Sequence, residues 1–83
     1  VVQLNHAVAV SYADSAKAGL QLLDALAEPL ADYSNFHAAK ADFLARDGQR
    51  KAAGDCFLIA INLTGNAANR AFLQAKKQRL MLH

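Results

Sequence analysis

The chain has 83 residues, enough for one small domain and too few for a second one beside it. Hydrophobic residues make up 54% of it, but aromatics only 7%, and one Pro with four Gly is sparse punctuation for an all-β domain. The formal charge is +2, apolar stretches such as Ala7 to Val10 and Cys56 to Ile61 are too short to span a bilayer, and the single Cys56 excludes an internal disulfide, so a cytoplasmic protein with no membrane partner is expected.

In chain order, Val2, Leu4, Ala7, Val8, Val10 and Tyr12 predict a first helix over 2–12 that is apolar on nearly all sides. Asp14 and Ser15 offer an N-cap for a second helix over 15–27, faced by Leu20, Leu22, Leu23 and Leu26 and stopped by Pro29 at about residue 28. Asp32 or Ser34 is expected to cap a third helix running to about residue 47, with Phe36, Ala39, Phe43 and Leu44 on adjacent turns. Gly48 then takes the left-handed conformation. A fourth helix over 49–63 turns Ala53, Cys56, Phe57, Ala60, Ile61 and Leu63 inward, and Gly65 is expected to end it as Gly48 ends the third. Asn66 can cap a fifth, over 67–82, with Ala68, Ala71, Phe72, Ala75 and Leu82 at helical spacing.

The chain repeats itself faintly at an interval of 34 residues: Ala7 falls on Ala41, Lys17-Ala18 on Lys51-Ala52, Val10 on Leu44, and Leu23 on Phe57. That is the period of tetratricopeptide (TPR) units, each a helix-turn-helix hairpin. The expected fold is therefore all-α: one domain over 1–83, with two TPR-like antiparallel hairpins and a C-terminal capping helix. Ala7, Gly19, Ala41, Ala53, Phe57 and Phe72 are expected to hold it together. Gly19 stands where the second unit has Ala53, and close helix packing is the reason expected for it.

Several ordered segments sharpen this reading. They are Val1-Val2-x-Leu4-Asn5-x-Ala7-Val8-Ala9 and Ala18-Gly19-Leu20-x-x-Leu23-Asp24-Ala25-Leu26, then Leu30-x-x-Tyr33-x-x-x-His37-Ala38 and Ala41-x-x-Leu44-x-x-x-Gly48, and finally Asn66-x-x-x-Arg70-x-Phe72-Leu73. In this order the chain resembles the C-terminal TPR-like extension of bacterial extracytoplasmic-function (ECF) RNA polymerase sigma factors. It departs at His6, where the family usually has Arg, and at Asn69, where it often has Glu. The resemblance implies a part in transcription initiation. The extension would pack on the sigma factor's N-terminal domains or on core RNA polymerase, and promoter DNA would be contacted mainly by the other domains. Because the sequence opens at Val1 inside an apolar helical pattern, it is expected to be the C-terminal part of a longer protein.

No enzyme is expected, and no cofactor or metal. His6, His37 and His83 are scattered, and Cys56 sits on an inward face as inert packing. The interaction surface is expected on Val1, Val2, Leu4, Val8 and Tyr12, which could also pair two copies of the chain in isolation. Through residue 55 there are five basic and seven acidic residues, and beyond it only Arg70, Lys76, Lys77 and Arg79. Those four are candidates for contact with nucleic acid or an acidic surface, against the plainer reading of cations matched to a helix C-terminus. A carboxylate-clamping groove is not expected. The groove-facing positions (Leu4, Val8, Ser11 and Tyr12; Ala38, Asp42, Ala45 and Arg46) hold no cationic cluster. The competing functional reading is a TPR-like adaptor unrelated to transcription.

Overall fold

The computed structural model describes residues 2–82, with side chains from Gln3 onward. Among the described residues it has five helices and no strand: α1 (Val2–Ala13), α2 (Ala16–Asp24), α3 (Ser34–Arg46), α4 (Arg50–Leu63) and α5 (Ala67–Met81). Each helix packs on the next, and α1 also touches α3. The smallest extent of the molecule, 18 Å, is the thickness of two helices laid face to face. No described helix is long and apolar enough to cross a membrane.

Local chemistry accounts for most of the boundaries. Ser15 is the N-cap of α2, its Oγ accepting from the Ala18 N–H at 3.0 Å, and the Asn66 Oδ1 does the same for the Asn69 N–H at 3.0 Å in α5. Helix α3 closes in a Schellman motif. Gly48, at φ +84°, lets its own N–H reach the Ala45 carbonyl (3.1 Å) and the Gln49 N–H reach the Leu44 carbonyl (2.9 Å).

Three boundaries differ from expectation. Helix α2 ends at Asp24 rather than near residue 28. Pro29 has no N–H for the Ala25 carbonyl and its ring crowds that group, so α geometry fails one full turn before the proline. The chain continues through short turns such as Leu26 N–H to the Leu23 carbonyl (2.9 Å) and Tyr33 N–H to the Leu30 carbonyl (3.0 Å). Neither Asp32 nor Ser34 caps α3. The N-cap position is Tyr33, with no side-chain cap, and the Ser34 hydroxyl instead donates to the Ala60 carbonyl of α4 at 2.8 Å. Gly65 does not end α4 by a left-handed turn. Thr64 takes an extended conformation there, and its Oγ1 receives the Asn66 N–H at 3.3 Å and the Asn69 Nδ2 at 3.1 Å.

Two apolar clusters form the interior. One gathers Leu4, Ala7, Leu23, Phe36 and Phe43 from α1, α2 and α3; the other gathers Ala41, Leu44, Ala53, Cys56, Phe57, Ala60, Ile61 and Leu73 from α3, α4 and α5. Helix α3 serves both with different faces, and Leu20 of α2 packs against each. Burial of a Phe or Leu of this kind contributes roughly 1.5–3 kcal/mol. The repeat is visible in the packing: Ala7 and Ala41 are both fully buried, as are Leu23 and, nearly, Phe57. At Gly19 the α1–α2 crossing is so close that a Cβ would stand 2.7 Å from the Ser11 Cβ and 3.0 Å from Phe43.

The inward faces need two corrections. Leu63 and Leu22 are surface residues. Helix α5 seats itself through Leu73, with Leu80 packed behind it, whereas Ala68, Ala71, Phe72, Ala75 and Leu82 face outward. Phe72, expected to hold the fold, is 57% exposed. Leu73 and Leu80 are two turns apart, and their larger area outweighs a stripe made mostly of alanine.

Candidate interaction surfaces

Helix α3 carries Asp42 and Arg46 one turn apart, and their side chains meet at 3.7 Å. Because α5 turns Leu73 and Leu80 to the core, it brings Lys76 to the other oxygen of Asp42, at 3.6 Å. Half-exposed pairs of this kind add little stability, about 0.2–1 kcal/mol, so their interest is positional. The Arg46 guanidinium donates to the Ser11 Oγ at 2.7 Å and to the Ser11 carbonyl at 3.3 Å, and lies 4.3 Å from the Tyr12 ring centroid. It thus clasps α1 to α3. Lys76 sits 5.5 Å from the Phe72 ring and 5.8 Å from that of Phe57. Between α3 and α5 opens a cleft of about 330 Å³, floored by Phe57, Ala45 and Leu80 and edged by Asp42, Lys76 and Arg79.

Sequence reasoning missed this cleft. The groove positions on α1 and α3 alone hold one cation, and the others arrive from α5. Given the correct face of that helix, the spacing Lys76-x-x-Arg79 would have pointed to it.

The four basic candidates therefore do not form one band. Arg70 is turned inward to donate to the Thr64 carbonyl at 2.9 Å. Lys76 and Arg79 border the cleft, and Lys77 lies on the other flank, beside Leu58, Ile61 and Met81. The apolar candidates scatter too. Leu4 is 5% exposed, inside the core; Val8 is half-buried against it; Tyr12 is exposed under Arg46. Val1 and the Val2 side chain lie outside the described residues, as does His83. Apart from Tyr12, the large apolar side chains left at the surface are elsewhere: Leu22 on α2, Leu58 (47%), Ile59 (43%) and Leu63 on α4, Phe72 and Met81 (63%) on α5, and Leu82 just after it.

The remaining reactive side chains have structural settings. The His37 Nε2 lies 2.6 Å from the Ala31 carbonyl, a hydrogen bond that pins the turns after α2, and the ring meets Phe36 edge-on. His6 edges a shallow hollow with Gln3, Leu22, Ala25 and Leu26. Cys56 is buried, and loss of water pushes its thiol pKa up, with Asp55 adding to the rise and Lys40 opposing it. Among the described residues no group of three His, Cys, Asp or Glu is placed to hold a metal.

The chain is 34% identical over 80 residues to an uncharacterized protein of Rhizobium meliloti (strain 1021). The match takes in 96% of this chain and 19% of that relative, so the chain spans about a fifth of the relative's length. No family model matches the chain, and no solved structure matches it.

Proposed function

We propose that this chain is a non-catalytic docking domain, the C-terminal TPR-like extension of an ECF-type sigma factor, and that it supports transcription initiation by packing on the sigma domains or on core RNA polymerase. The observation that carries the docking part is the set of large apolar side chains held at the surface of α4 and α5: Leu58, Ile59, Phe72 and Met81. Leu58 and Met81 meet at one surface hollow, and apolar side chains grouped in this way mark interaction sites. The sigma-factor part is supported by the ordered segments quoted above. A relative roughly five times as long, with ample chain for promoter-binding domains, accords with it.

The test uses the full-length protein. Deleting this domain lowers transcription from the cognate promoter, and Leu58→Glu with Ile59→Glu reproduces the loss while the helical content of the domain is kept. Unchanged transcription after deletion refutes the regulatory role. A loss on deletion that the two glutamates do not reproduce moves the docking surface away from α4.

A further inference from the structure

We propose that the cleft between α3 and α5 is a binding site for an acidic, amphipathic segment of a partner protein, with Lys76 and Arg79 receiving its carboxylates and Phe57 and Leu80 its apolar side chains. Naming a protein segment as the occupant rests on the docking reading above.

Charge is the first argument. Lys76 and Arg79 border the cleft against one carboxylate, Asp42, leaving an excess of one positive charge beside an apolar floor. Preorganisation is the second. Lys76 is held between Asp42 and the rings of Phe57 and Phe72. A cation already held in place loses little side-chain entropy when a ligand arrives.

The same geometry argues against a nucleic acid. A duplex meets a band of cations, but here Arg70 is committed to Thr64 and Lys77 is on the far flank. That leaves Lys76 and Arg79 at the cleft, too few for a footprint on a phosphate backbone. An acidic helix or strand needs only two or three side chains to enter. Its apolar residues find the floor that a phosphate backbone could not use.

The experiment titrates the 83-residue chain into a fluorescein-labelled peptide of about sixteen residues with Leu and Glu at helical spacing, followed by anisotropy. A second peptide carries Gln for every Glu, and a short DNA duplex forms the third arm. The acidic peptide binds; the Gln peptide binds at least about tenfold more weakly, a difference of 1.4 kcal/mol or more. Lys76→Gln with Arg79→Gln lowers affinity for the acidic peptide by a similar factor, whereas Lys77→Gln leaves it unchanged. Circular dichroism melts identify any variant that has merely unfolded. For such a variant, backbone amide shifts of the unsubstituted chain on adding peptide replace it, and they map to Asp42, Ala45, Lys76 and Arg79.

The proposal is overturned if the acidic peptide fails to bind or binds equally after the double substitution. Tighter binding of the DNA duplex, with a steep salt dependence in which Lys77 counts as much as Lys76, also overturns it. Because this test leaves Leu58 and Ile59 untouched, its failure with transcription still lost on domain deletion defeats the cleft alone. Peptide binding with transcription unaffected defeats the sigma-factor reading alone.

Discussion

Replacing Gly19 by Ala sets two effects of opposite sign against each other. Alanine is the better helix former by about 1 kcal/mol, and Gly19 lies inside α2, so propensity alone favours the variant. The new Cβ, however, would stand 2.7 Å from the Ser11 Cβ and 3.0–3.1 Å from two carbons of the Phe43 ring. A Cβ is not the loose end of a side chain; it moves only with the backbone of α1. Ser11 is further tied by its own bond to the Val8 carbonyl (2.7 Å) and by Arg46, and Phe43 is 1% exposed with nowhere to turn. Overpacking of this kind costs about 1–3 kcal/mol, occasionally more. Since no contacting atom yields easily, the upper part of that range applies, and the net loss is about 1–2 kcal/mol. Urea denaturation followed at 222 nm measures it, and in a domain of this size each kcal/mol lowers Tm by roughly 4–8 °C. Gly54→Ala is the matched control. Its Cβ would meet only the Met81 Sδ, at an ordinary 3.5 Å, so it stabilises by about 0.5–1 kcal/mol. A Gly19→Ala variant as stable as the natural chain, alongside a stabilised Gly54→Ala, would show that the α1–α2 crossing is looser than described.

Three further outcomes follow from the packing and the chemistry. Ala41→Leu, at a fully buried position on α3, overpacks the second core and costs about 1–3 kcal/mol by the same denaturation assay. Gly48→Ala meets no steric neighbour, yet forces an L side chain to φ +84°, and it lowers stability by roughly 1–2 kcal/mol, so a neutral result would place the turn wrongly. Cys56 carries a pH dependence. Its folded pKa is raised above the ordinary 9.0, chiefly by burial, so above that range the unfolded chain has lost a proton that the folded chain keeps. The contribution is complete below the ordinary thiol range and disappears as pH rises through the folded pKa. Between about pH 8 and pH 10, the natural chain therefore loses more stability than Cys56→Ala does, and parallel urea midpoints for the two would remove the assignment.

What could be read in advance follows how local each signal is. Ser15, Gly48 and Asn66 act on backbone groups within a few residues of themselves, and all three do what their residue types suggest. The reach of Pro29 is also local but runs a full turn backwards to Ala25, so the end of α2 sits four residues before the position expected. Ser34 illustrates the opposite case: a side chain suited to capping makes a longer-range bond to Ala60, which only the tertiary fold offers. The face of α5 was ambiguous because alanines fit any register, and its true register depends on Leu73 finding the core of α3 and α4. The meeting of Asp42 with Lys76 inherits that ambiguity, which is why the cleft became visible only with the fold.

Leu20 touches both apolar clusters, and so adds a side-chain contact between two cores that α3 already shares. In a stacked architecture the energy shared between adjacent units decides whether they melt together or one after the other. With Leu20 straddling that boundary and α3 lending a face to each side, the two hairpins are expected to melt in a single transition.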